Sequence, residues 1–285
     1  MHVALRSALL GIGCAGLLAT SGVRAAPRAP DGPPTPTPAP TAAPSPAPAS
    51  SWCAPELGRL SGGTCFALPR AGAEPASELL IFLHGVIPPG GNTQWDQQRQ
   101  LARAAEEHGL AVLMPRGRRF LRTDDMSEYW TWPTAADAQA RAEKPIVEEW
   151  ARARAELESK LGRPFAKIYF FGFSNGAYYV ASLAGRGRLA ADGYAAFAGG
   201  AAWRFARLKA RDHVPRVPLY VGYGTGDGRA ARDGTELGDA LRRLSWPAKV
   251  VASEGVGHTI TDAQLAAALE FLRSRSAPSG SSPAP

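Results

Sequence analysis

The sequence has no apolar run near the ~20 residues that a membrane-spanning helix needs, which argues against a polytopic membrane protein. Lysine is scarce: only 5 of the 32 basic residues are Lys and 27 are Arg. The basic residues form no long block. Arg116, Arg118 and Arg119 cluster, as do Arg242 and Arg243, so the net charge of +7 is spread thinly. That pattern excludes a nucleic-acid surface as the expected function. Cysteine is nearly absent, with Cys14, Cys53 and Cys65 alone, and none has metal-ligand spacing with a histidine. Neither a metal nor a cofactor is expected. No internal repeat is visible.

Proline is plentiful but unevenly placed. Ten of the 25 prolines fall between Pro27 and Pro48. Proline fixes φ and donates no ladder hydrogen bond, so residues 26–49 read as an extended linker at ~3.1 Å per residue, reaching roughly 70 Å. Residues 1–25 before it read as a signal peptide, with Arg6 in the charged region, an apolar stretch over 8–20, and cleavage after Ala25. A second reading stays open. Gly11-Ile12-Gly13-Cys14 resembles a lipobox, in which Cys14 would carry a lipid and become the mature N-terminus. The expected location is secreted or periplasmic, with membrane contact only if Cys14 is lipidated. In that setting Cys53 and Cys65 read as a disulfide rather than two buried thiols, closing a short loop worth ~3 kcal/mol in the chain-entropy model.

The remaining body, residues 50–275, is long enough for one large core, with 276–285 as a disordered tail. Short apolar runs at 79–83, 110–114, 168–171, 194–198, 217–222 and 249–252 each end near Gly or Pro. Such runs suit strands buried on both faces. Helical patterns separate them at 93–108, 147–161, 175–184, 235–244 and 262–273, the last preceded by the capping-box pattern of Thr261 and Gln264. Strand–helix alternation predicts an α/β fold with a mostly parallel sheet and helices on both faces. Residues 57–68 read as an antiparallel hairpin at one edge.

Chemistry in such a sheet gathers at the carboxyl ends of the strands. The third run ends in Gly172-Phe173-Ser174-Asn175-Gly176, a G-x-S-x-G pattern. The pattern is weak alone, but here it follows a strand and opens a helix, the setting of a nucleophile elbow. A serine nucleophile needs a base, and the base an orienting acid. Of the histidines after Ser174, His213 precedes a strand, whereas His258 follows the last one. His258 is therefore the candidate base. The loop after the fifth run supplies Asp227 as the acid, with Asp233 the second choice and Asp239 a solvated helix residue. Two backbone N–H groups, of Asn175 and Val86, are expected to hold a developing oxyanion. His84 is expected to hold its loop rather than to move a proton. Trp130 and Trp132, in an aromatic cluster, read either as substrate-binding groups or as a packed loop. Trp95 and Trp203 are expected in the core.

These motifs, LHG at 83–85, GFSNG at 172–176, GTGD at 224–227 and GHT at 257–259, resemble the α/β-hydrolase superfamily over residues 78–273. Within it the chain is similar to small secreted bacterial esterases of the polyhydroxybutyrate-depolymerase, feruloyl-esterase and dienelactone-hydrolase-like groups. The resemblance implies a sheet of about eight strands, a Ser174–Asp227–His258 triad, and no cofactor. The expectation is a monomeric serine esterase acting on a small-molecule or polymeric ester through an acyl-enzyme, with activity falling as His258 protonates. A lipase or polyester depolymerase, and a non-catalytic binding protein on the same fold, are the alternatives. The charged 116–146 segment does not read as a greasy lid.

Overall fold

The computed structural model describes residues 51–70, 72, 74, 76–208 and 213–275. The signal peptide, the linker, Cys14 and the 276–285 tail lie outside the described residues. Every apolar run becomes a strand. The hairpin forms β1 (Gly58–Arg59) and β2 (Cys65–Ala67), followed by β3 (Glu78–Leu83), β4 (Ala111–Met114), β5 (Lys167–Phe173), β6 (Gly193–Phe197), β7 (Leu219–Gly224) and β8 (Ala248–Ser253). They make one eight-stranded sheet in the order β1-β2-β4-β3-β5-β6-β7-β8. The hairpin pairs antiparallel with itself and with β4, and the other pairings are parallel.

The period-2 geometry of a strand sends neighbouring side chains to opposite faces. In β3, Leu79, Ile81 and Leu83 join one core while Leu80 and Phe82 join the other. The first core is covered by α2 (Ala136–Leu161), α3 (Asn175–Gly185), the short α4 (Ala202–Ala206) and α5 (Gly228–Arg243). The second is covered by α1 (Gln94–His108) and α6 (Asp262–Arg275). With apolar residues on both faces, the central strands can carry unbroken hydrophobic runs. Cys53 and Cys65 form a disulfide that ties the segment before β1 to β2. Among the described residues no helix is long and apolar enough to cross a membrane.

Two helices start earlier than their patterns predict. α2 begins at Ala136, eleven residues before 147, and carries Pro145 inside it. The buried face of this first part is polar: Gln139 and Glu143 beside Ala138. Gln139 donates to Pro133 O at 3.0 Å and Ser182 Oγ at 3.1 Å. Glu143 accepts from Arg188 at 2.8 Å and also pairs with Arg186. Tertiary hydrogen bonds, not apolar spacing, hold this end. Likewise α5 starts at Gly228 rather than 235, because Asp227 caps it by accepting from Ala230 N at 3.1 Å. The short α4 has no counterpart in the predicted helices.

Candidate active site

The turn from β5 into α3 is sharp, and its glycines show why. A Cβ on Gly172 would lie 2.3 Å from Gly176 O, and one on Gly176 would lie 2.0 Å from Leu83 O. Neither position has room for a side chain. Ser174 between them is held at φ 51°, ψ −116°, a left-handed conformation that costs a non-glycine residue of order 1–3 kcal/mol. Its N–H donates to Phe197 O of the neighbouring strand at 2.9 Å, which anchors the strained residue in the sheet.

β7 ends in the loop carrying Asp227 and β8 in the loop carrying His258. The two loops are stitched together: Gly226 N donates to Val256 O at 2.9 Å, and Gly255 N to Thr225 Oγ1 at 2.9 Å. His258 Nε2 lies 2.9 Å from Ser174 Oγ, and its Nδ1 is hydrogen-bonded to Asp227 Oδ2. A carboxylate only accepts, so Nδ1 carries the hydrogen and Nε2 accepts from the serine. Burial pushes the Asp227 carboxyl up, but the Ala230 N–H and His258 outweigh it and hold its pKa below the usual carboxylate value. The imidazole packs on Phe173, ring centroids 4.9 Å apart, while its side chain stays 53% exposed. A hydroxyl so placed can lose its proton to the ring while a fixed negative charge steadies the resulting cation.

Asp233 is elsewhere. Its carboxylate accepts from Tyr178 Oη and lies 3.8 Å from Arg229. Asp239 pairs with Arg242 at 2.7 Å. Geometry therefore brings Asp227, not Asp233, to the imidazole.

Ser174, Asp227 and His258 open into a cleft of about 520 Å³, which Val86 and Asn175 also line. Gly85 lies tight beside the serine, where an added Cβ would be 3.3 Å from Ser174 Cβ. Asn175 is the first residue of α3, and its side-chain oxygen accepts from Trp132 N at 2.7 Å. That bond occupies the Asn175 side chain and leaves its backbone N–H as the group available at the helix N-terminus.

The tryptophans divide between the packed interior and the cleft. Neither Trp130 nor Trp132 lines this cleft, so of their two readings the substrate-binding one finds no support in its lining. Trp132 is 1% exposed, stacks on Tyr179 and donates to His84 O at 2.9 Å. A ring that large, already sealed on all sides, has no face for a ligand. Trp130 opens onto a separate pocket. Trp203, expected in the core, is 45% exposed and lines the cleft. Met126, Tyr178, Arg122 and Arg229 join it there. Tyr178 was legible in principle, since it stands one helical turn beyond Ser174 on α3. Arg229 follows Asp227 by two residues. Trp203 carried no signal, because α4 is set by its packing rather than by a pattern.

His84 behaves as expected of a loop-holding residue. Gly117 N donates to its Nε2 at 2.9 Å, and Nδ1 donates to Gly85 O at 2.5 Å. Burial, partly offset by Gly85 and reinforced by Arg116, lowers its pKa to about 4.

A mostly parallel eight-stranded sheet with Ser, Asp and His meeting at its carboxyl edge defines an α/β hydrolase. The chain belongs to the phospholipase/carboxylesterase family, whose model matches residues 69–276. No curated protein matches the chain in sequence. Three of the solved structures that it resembles illustrate the shared fold. Esterase PE8 is 22% identical over 73% of this chain and 96% of its own, TM-score 0.50. A Thermus thermophilus protein is 22% identical over 76% and 96%, TM-score 0.51. An uncharacterized protein from Bacillus cereus is 13% identical over 73% and 63%, TM-score 0.53.

Proposed function

We propose that this chain is a serine esterase that hydrolyses carboxylic esters through an acyl-enzyme. The observation that carries the reading is the hydrogen-bonded run Ser174–His258–Asp227, with the serine held in strained backbone at an elbow. His258 Nε2 takes the Ser174 proton as Oγ attacks the ester carbonyl. The Val86 and Asn175 N–H groups receive the oxyanion. His258 then protonates the leaving alcohol, and the same ring activates the water that releases the acid. Asp227 keeps the hydrogen on Nδ1 throughout and steadies the imidazolium.

The cleft walls support a substrate of mixed character. Trp203 and Met126 offer apolar surface, and Tyr178 a hydroxyl. Burial and Asp233 raise the Tyr178 pKa to about 12, so the hydroxyl keeps its hydrogen, which it gives to Asp233, and it meets a substrate as an acceptor. An extracytoplasmic site of action is part of the same reading, and the Cys53–Cys65 disulfide supports it, since such bonds persist in oxidising compartments.

The test is a nitrophenyl-ester series from acetyl to palmitoyl, with Ser174→Ala alongside. Turnover of short esters that disappears in the variant is the expected result. Preference for the longest chains would move the reading to a lipase. Absence of turnover together with no fluorophosphonate labelling of Ser174 would sink it. Determination of the mature N-terminus separates cleavage after Ala25 from lipidation at Cys14.

A further inference from the structure

A second pocket lies away from the serine, between the β1–β2 turn, the chain after β4, and α2. It has a volume of about 290 Å³ and a polar lining. We propose that it is a binding site for an oxyanion group, a carboxylate or a phosphate carried by a small molecule.

The charges in and around it do not balance. Arg116 and Arg118 line the pocket, and an added Cβ on Gly63 of the turn would lie 3.7 Å from an Arg59 guanidinium nitrogen. Two carboxylates lie near these three cations: Glu149, already paired with Arg118, and Glu156 of α2, which accepts from Ser61 N and Oγ in the same turn, so the cations still outnumber them. Among the described residues the Arg116 guanidinium has no hydrogen bond or ion pair, and the groups packed on it are two rings. Its guanidinium lies 4.3 Å from the Trp130 ring centroid and 5.8 Å from that of Trp52. Stacking occupies the face of the planar fork and leaves its N–H edge for an in-plane acceptor. The stack also costs Arg116 part of its hydration, so a ligand there displaces less water than at a free surface arginine.

A second observation points the same way. Thr64, which lines the pocket, is 2% exposed, and its hydroxyl has no hydrogen-bond partner among the described residues. A buried hydroxyl without a partner is unfavourable; this one has under 1 Å² of accessible surface, so a small turn of the Thr64 side chain toward the pocket would bring it to an entering oxyanion. Partly buried Arg116 has its pKa lowered, first by burial and then by Arg118, with Arg59 adding to the effect and Glu149 opposing it. Like charges held together in this way are relieved when an anion enters.

Calorimetric titration of the full chain with sodium phosphate and, separately, sodium citrate tests this at ionic strength held constant with sodium chloride. The expected result is saturable one-to-one binding of at least one of them. The stronger of the two identifies the oxyanion. Arg116→Gln and Arg59→Gln should each weaken it, the first at least ten-fold and the second several-fold. Arg243→Gln removes the same charge from the far end of α5 and should leave it unchanged. Thr64→Val, which keeps the shape and removes the hydroxyl, should weaken it as well. Binding that survives in both Arg116→Gln and Arg59→Gln, or heat that follows ionic strength alone, would overturn the proposal. Should Arg116→Gln fail to fold, Arg59→Gln decides, since its side chain is exposed.

Discussion

Two loops at the carboxyl edge of the sheet each carry a Gly beside a His, and they set the same side chain in opposite surroundings. After β3, His84 is 3% exposed, and its two ring nitrogens face backbone groups, Gly117 N and Gly85 O. Trp52 and Trp132 flank it at 5.0 and 4.9 Å. Both ring nitrogens are occupied, and burial makes a proton costly. After β8, His258 faces two side chains, a carboxylate on one nitrogen and a hydroxyl on the other. It remains open to the cleft. A histidine becomes a base when its partners can exchange a proton with it, and becomes a strut when they cannot.

The comparison breaks or holds most sharply at the chemistry. Ser174→Ala and His258→Ala should each lower kcat by about 10⁴-fold or more with little change in folding, and Asp227→Asn by about 10⁴-fold through the wrong imidazole tautomer. Steady-state kinetics on a short nitrophenyl ester measures this. A His84→Asn variant that folds should keep turnover within about ten-fold, a margin for small shifts of the neighbouring oxyanion loop. Loss as deep as that of His258→Ala would erase the distinction between the two rings.

The next effect is on stability. The folded pKa of His84 is about 4, below the ordinary 6.5, so the unfolded chain takes up its proton first as pH falls. The stabilising contribution is complete above pH 6.5 and is lost on descending towards pH 4, amounting to about 3 kcal/mol. Urea unfolding at pH 7, 5.5 and 4 should show that slope, and His84→Asn should flatten it. A slope of the same size in the variant would assign the acid sensitivity elsewhere. Reduction of the Cys53–Cys65 bond should cost about 3 kcal/mol at any of these pH values, since the unfolded chain gains loop entropy.

The smallest effects separate the tryptophans. Trp132→Phe removes the hydrogen bond to His84 O and should lower stability by about 1–2 kcal/mol, with little effect on KM. Trp203→Ala should do the reverse, raising KM a few-fold while the unfolding midpoint stays in place. Matching KM shifts in both would mean that Trp132 reaches substrate after all.

Much of the sheet was readable from the chain. All six apolar runs are strands, and residues 57–68 form the edge hairpin. The Thr261–Gln264 capping box is there, with Thr261 N donating to Gln264 Oε1 at 3.0 Å and Gln264 N to Thr261 Oγ1 at 3.2 Å. The early halves of α2 and α5 were not readable. Pro145 looks like a breaker, and the buried face of α2 before it is polar, so no apolar period announces a helix. In α5 the glycines lower intrinsic propensity, yet Gly234 is where the Tyr223 ring packs, at a distance that leaves no room for a Cβ.

Local rules carried what the sequence determined by itself. Strand runs follow from burial on both faces, and the elbow at Ser174 follows from glycines that no side chain could replace. His258 follows from its position after the last strand. Tertiary structure brought Asp227, already the first choice from its loop, to the imidazole and sent Asp233, six residues on, to Tyr178. It also decided which tryptophan is sealed and which meets the cleft, and it gathered Arg116 and Arg118 at one pocket. Each of those outcomes depends on distances between segments far apart in the chain, set by how the helices pack on the sheet, and spacing along a sequence does not encode them one residue at a time.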